Sequence, residues 1–162
     1  MKRILIVSDT HGRAEILEDV LASEGPFDML IHCGDLEGQA DYIYELTGPE
    51  CACVMVPGNN DFLTRLPRER SFELEGMNVW VTHGHNYYVS MDPAIICEEA
   101  MSRGMNMVMF GHTHRPIATQ MDGVYLINPG SLTYPRQEGR RPSYIVMEID
   151  RDYAPKIEIC YL

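Results

Sequence analysis

Histidine is scarce in this chain, six among 162 residues. Two of the six stand two apart in Gly111-His112-Thr113-His114. Imidazole is a common metal ligand, yet a lone H-x-H serves equally well as two loop histidines, one solvated and one bonded to backbone. Four more stretches share the design: Asp9-Thr10-His11-Gly12, Gly34-Asp35-Leu36-Glu37-Gly38, Gly58-Asn59-Asn60-Asp61 and His83-Gly84-His85. Each sets carboxylate, imidazole or amide groups beside a glycine, which lets backbone come close. Taken singly, they are good turn sequences with no chemistry required. Taken together, they gather five of the six histidines.

The donor types narrow the chemistry. Imidazole, carboxylate and amide oxygen without thiolate suit Mn²⁺, Ni²⁺, Fe²⁺ or Zn²⁺ at raised coordination, not a cysteine-based structural zinc. Seven candidates are too many for one ion, whereas two ions sharing a carboxylate would use them all. Such a pair, about 4 Å apart, bridges an attacking oxygen and clamps a phosphoryl group.

The elements that must position these residues are legible from pattern. Short apolar, β-branched runs at 3–7, 27–33 and 51–56 predict buried strands, and the spacing of Ile16, Leu17, Val20 and Leu21 predicts a helix over 13–25. A second helix is expected over 39–48, stopped by Gly48-Pro49. A third is expected over 92–104, with Asp92 as N-cap, Pro93 at its first position and Gly104 closing it. A hairpin is expected over 71–82 around Glu75-Gly76. Further strands follow at 106–110, 116–121, 124–128, 143–149 and 156–161. The β-α-β-α-β first half implies parallel strands with crossover helices. The expected architecture is α/β: two packed sheets flanked by helices, in a single domain over residues 1–162. Each polar motif then follows a strand, at the carboxyl edge where open α/β sheets bind ligands.

Composition sets limits. A net charge of −11 and a pI near 4.8 argue against a nucleic-acid partner, which needs a basic footprint. Arg136, Arg140 and Arg141 form a short basic loop, read first as solvated and second as facing substrate. Five cysteines without a C-x-x-C pair suggest buried reduced thiols at Cys33, Cys53 and Cys160 and a cytoplasmic protein. No signal or membrane segment is expected, since the N-terminal apolar run spans only residues 3–7.

D-x-H, GD-x-x-G, GN-x-D, H-G-H and GHTH, in that order from residue 9 to 114, resemble the calcineurin-like metallophosphoesterase superfamily, nearest its compact bacterial and archaeal phosphodiesterases. Ile127-Asn128-Pro129-Gly130-Ser131 resembles that branch too. The resemblance implies a binuclear centre, with Mn²⁺ favoured. One ion would be held by Asp9, His11, Asp35 and His114, the other by Asp35, Asn59, His83 and His112, with Asp35 as the bridge. It implies hydrolysis of a small phosphodiester by a hydroxide between the ions. A broad phosphomonoesterase and a non-catalytic scaffold on the same fold are the alternatives, and self-association is open. Two departures stand out. Many members have a histidine near the leaving group where this chain has Asn60, and an amide cannot supply a proton. Gly34-Asp35-Leu36-Glu37-Gly38-Gln39 also lacks the arginine of protein Ser/Thr phosphatases. His85 would contact substrate, support a ligand from behind or stand in solvent. Asp61 would orient a neighbour or end its turn. Tyr87, Tyr88 and Arg136 are expected at the surface, and His32 in the core.

Overall fold

The computed structural model describes residues 1–162. β1 (Lys2–Val7) leads through α1 (Ile16–Glu24) to β2 (Met29–His32), and β2 leads through α2 (Ala40–Thr47) to β3 (Ala52–Met55). These three strands pair in parallel. The hairpin of β4 (Glu69–Leu74) and β5 (Met77–Thr82) opens a second sheet. Its turn residues Glu75 and Gly76 both take positive φ, 48° and 84°, as a type I′ turn requires. α3 (Pro93–Ser102), β6 (Met107–Met109), β7 (Pro116–Met121) and β8 (Val124–Pro129) follow. β9 (Ser143–Asp150) and β10 (Tyr153–Tyr161) then return to the first sheet. The two sheets run β10-β9-β1-β2-β3 and β4-β5-β6-β8-β7.

The continuous apolar runs are explained by burial on both faces. Successive side chains of a strand alternate between faces. In β1, Ile4 and Ile6 therefore meet Val79, Val81, Met107 and Met109 between the sheets. Leu5 and Val7 turn the other way, toward Leu17 and Val20 of α1. On the far side Trp80 and Val108 pack with Ile96, Cys97 and Ala100 of α3. The result is four layers, helix–sheet–sheet–helix, as expected. Each fully buried Leu or Ile contributes about 1.5–3 kcal/mol against exposure.

Some boundaries differ. α1 starts at Ile16, because residues 14 and 15 form a turn and the Ala14 amide is claimed by Gln39 Oε1 at 2.6 Å. β4 starts at Glu69, whose backbone pairs opposite Thr82. Asp92 does cap α3, its Oδ1 accepting from the Ala94 amide at 2.9 Å. The α3 C-cap is Arg103, with Gly104 one residue beyond at φ 69°. The thiols are all unpaired, but only Cys33 and Cys97 are buried; Cys53 and Cys160 are half-buried, because both lie on strands at sheet edges. No helix is long and apolar enough to cross a membrane.

β5, β6 and β8 also run parallel. Six strands thus send their carboxyl ends into loops, three from each sheet.

Candidate metal centre

Those loops meet. On one side, His114 Nε2 lies 3.1 Å from Asp9 Oδ1 and 3.2 Å from His11 Nε2. His11 Nε2 is 3.7 Å from both Asp9 Oδ1 and Asp35 Oδ2. On the other side, His83 Nε2 is 3.1 Å from Asn59 Oδ1 and 3.4 Å from Asp35 Oδ2. His112 Nδ1 is 3.0 Å from the same Asn59 oxygen. Donor atoms bound at about 2.1 Å around one ion are spaced by about 3 Å. All seven residues named from sequence are brought together, and two carboxylate oxygens lie within reach of both sides: Asp35 Oδ2, and Asp9 Oδ1 at 3.9 Å from His83 Nε2. Two overlapping sets, Asp9-His11-His114 and Asp9-Asp35-His83, could each hold an ion.

The imidazoles are oriented from behind. His114 Nδ1 donates to the Tyr134 carbonyl at 2.6 Å and His83 Nδ1 to the Cys33 carbonyl at 2.7 Å. His11 Nδ1 donates to Glu37 Oε1 at 2.8 Å. Each contact fixes the tautomer and leaves the Nε2 lone pair facing inward, the usual support of a metal-binding histidine. Lone pairs of His11, His114 and the Asp9 carboxylate then face one another across about 3 Å, which only a proton or a metal cation can stabilise. Asp9 Oδ1 is buried and accepts no hydrogen bond, whereas Oδ2 accepts from Ser8 Oγ at 2.5 Å and the His112 amide at 3.1 Å. A buried carboxylate oxygen without a donor is costly unless a cation serves it. The residues present fit a divalent metal.

Backbone geometry serves the same end. Asp9, His11, Asp35, His112 and His114 all take positive φ, between 45° and 66°. Asp and His are among the few non-glycine residues enriched there, and such strain gathers at functional sites. In D-x-H and H-x-H, this conformation lets two side chains two residues apart converge on one centre. Gly58 and Gly111 leave the space: a Cβ on Gly58 would lie 2.1 Å from Asp35 Oδ1, and one on Gly111 would lie 2.0 Å from Ser8 Oγ.

The remaining candidates fall into place differently. Asn60 does not point at open space: its backbone amide donates to Asp35 Oδ1 at 2.9 Å and its side-chain amide to Asp35 Oδ2 at 3.1 Å. Asp61 ties two loops, accepting from the Leu36, Glu37 and Gly58 amides at 3.1, 2.6 and 2.8 Å. His85 opens a short 3₁₀ turn, with its ring 5.4 Å from that of His83 and 6.1 Å from that of His112. Its Nδ1 is buried without a partner. Tyr87 is engaged away from the centre, donating to Glu69 and stacked edge-on against Trp80, while Tyr88 is exposed. Arg136 is exposed, as expected. With Arg140 it lines a cleft against His11 and His114, because its backbone amide is pinned to the His114 carbonyl at 3.0 Å. Sequence reasoning missed Glu37, the Tyr134 carbonyl and Thr133, whose hydroxyl, like that of Ser131, donates to the Asp9 carbonyl. Only the Asn128–Ser131 motif hinted at them.

Burial alone would raise the Asp35 carboxyl. The hydrogen bond and charge of His83, with the Asn60 amide, instead hold it well below the usual carboxylate range. Burial, then the charge of His83, lowers His112.

His32 is a core histidine, as expected. Its Nδ1 accepts from the Gly34 amide at 3.2 Å, so Nε2 carries the proton toward Thr10 Oγ1 at 3.0 Å. Burial pushes it from 6.5 down to about 4. The unfolded chain therefore binds this proton more tightly than the folded one. The stability His32 confers is complete above pH 6.5 and is lost as pH falls toward 4, by up to roughly 3 kcal/mol. Denaturant titrations of metal-free protein between those limits should show that extra loss in wild type but not in His32→Asn, which keeps an acceptor and cannot titrate. Parallel curves would refute a neutral His32.

Residues 1–152 match the family model of the calcineurin-like phosphoesterase superfamily domain. The chain belongs to that superfamily. The probable metallophosphoesterase YsnB of Bacillus subtilis (strain 168) is 31% identical over 153 residues, covering 93% of this chain and 86% of that one. Phosphodiesterase MJ0936 of Methanocaldococcus jannaschii is 28% identical over 145 residues, 79% of this chain and 82% of that one. The crystal structure of a predicted phosphoesterase from Streptococcus pneumoniae TIGR4 is similar with a TM-score of 0.84 at 29% identity, over 99% of this chain and 89% of that one. Within the superfamily fold, this chain carries Asp/His groups suited to a divalent metal.

Proposed function

We propose that the chain hydrolyses small phosphodiesters with two divalent cations, one held by Asp9, His11, Asp35 and His114 and the other by Asp35, Asn59, His83 and His112. The observation that carries this reading is the inward convergence of seven donor atoms, three of them on imidazoles whose Nδ1 is already bonded. When bound, two such ions stabilise the charge that develops on a transferred phosphoryl group. The chain's own residues position it: Asp61 locks the two carboxylate-bearing loops, and Asn60 holds the bridge in orientation. A non-catalytic scaffold would have no use for a full donor set or for five strained backbone positions.

Asn60 is engaged with Asp35 and cannot release a proton. His85 is the remaining imidazole at the centre. It lines, with Asn59 and Arg68, a cleft on the His83 side, and we assign it to the leaving group. A positioned proton donor contributes about 10²–10⁴-fold, most for basic leaving groups. Rates on aryl and alkyl phosphodiesters, with matched monoesters, test both points. Diesters should exceed monoesters in kcat/KM, and a reversed order would favour the monoesterase. His85→Asn should lose about 10²-fold on alkyl esters and far less on 4-nitrophenyl esters. Parallel leaving-group dependences in the two proteins would remove His85 from that role.

A further inference from the structure

The cleft beside His11 and His114 has a volume of about 720 Å³ and is lined by Arg115, Arg136 and Arg140. In a chain of net charge −11, three exposed arginines lining one cleft beside the candidate centre stand against the general field. The ion-paired arginines lie elsewhere, at Arg3, Arg13, Arg103 and Arg151. None of the three in the cleft has a carboxylate within ion-pair distance. The acid in the cleft, Glu37, is engaged with His11 Nδ1 at 2.8 Å. The arginine loop is also held in place. The Arg136 amide bonds to the His114 carbonyl, and Arg140 takes a positive φ of 44° on a turn closed by its amide to the Gln137 carbonyl at 3.1 Å. An arginine so constrained is uncommon and is found where surroundings over-determine it.

The geometry points to a second anion subsite formed by Arg115, Arg136 and Arg140. The substrate therefore carries, beyond the scissile phosphate, a further negative group such as a phosphate or carboxylate on the arm that lies toward His114. Guanidinium forks bind such groups by paired charge-assisted hydrogen bonds. This rests on the metal centre proposed above, which would seat the scissile phosphate, and it narrows the substrate class to phosphodiesters with an anionic arm.

Calorimetric binding of propylphosphonate and of propane-1,3-bisphosphonate to the metal-loaded protein tests it without turnover. Wild type should bind the bisphosphonate at least about tenfold more tightly, with the advantage shrinking as salt rises. Arg136→Ala/Arg140→Ala should bring the ratio close to one. Arg141→Ala is the charge-matched control for Arg140→Ala. Its guanidinium lies over the Tyr161 ring at 5.3 Å, outside the cleft, so it should keep the wild-type ratio while Arg140→Ala lowers it. A wild-type ratio near one, a ratio that survives the double variant, or equal losses in Arg140→Ala and Arg141→Ala would overturn the subsite. Hydrolysis of 4-nitrophenyl diesters, one neutral-armed and one with an anionic arm, is scored separately. Absence of turnover on both would overturn the phosphodiesterase reading while the binding ratio still decides the subsite.

Discussion

Asp35→Asn should lower kcat/KM by more than about 10³-fold and cut bound metal from two ions per chain to one or fewer. Loss of a group that merely supports a ligand costs about 10–100-fold. Asp35 Oδ2 lies 3.7 Å from His11 Nε2 and 3.4 Å from His83 Nε2, one from each donor set, and is nearer His83 than Asp9 Oδ1, which stands 3.9 Å away. The substitution keeps size and can keep the amide contact at Oδ1, but removes the charge that two cations share. Elemental analysis alongside kinetics gives the reading. A variant retaining two ions and near-normal turnover would show that Asp35 is not the bridge.

Chelation should abolish turnover and lower the midpoint of thermal unfolding. Activity should return with Mn²⁺ or Ni²⁺ better than with Mg²⁺. His11, His83, His112 and His114 supply four imidazoles, which suit borderline ions over a hard one that prefers oxygen. The thermal shift has its own cause. Asp9 Oδ1 is buried without a donor, so cation binding to the folded state relieves a cost that the unfolded chain never bears. Full activity in a demonstrably metal-free preparation would end the two-ion reading. Mg²⁺ outperforming Mn²⁺ would mean that fewer imidazoles are engaged than the geometry brings together.

The layer architecture was legible because strands buried on both faces write apolar runs, and because polar motifs follow those runs. The five loops that gather the candidate donors were legible because Asp, Asn and His beside glycine recur after five of those runs, and the resemblance then picked seven of them as ligands. What could not be read were contacts made across the sequence. Glu37 reaches His11 over 26 positions, and the Tyr134 carbonyl reaches His114 over 20. A backbone carbonyl leaves no trace in residue type at all. Asn60 shows the same limit. The resemblance sets it where many members have a histidine near the leaving group, and only the folded loops reveal its two bonds to Asp35. The arginine loop is exposed, as read, but nothing local records that the Arg136 amide is tied to the His114 carbonyl.

One feature of the fold bears on descent. The donors come from separate crossover loops, while the three apolar clusters are built from the strands and helices beneath them. A change at His83 or His112 removes a donor without opening the core. Glycine at one of the positive-φ positions would even relax the backbone. Chemistry and architecture can therefore be inherited apart. A lineage on this framework can let its ligands lapse loop by loop and keep a rigid body for other uses, whereas a lineage that keeps all seven bears the strain of doing so in every generation.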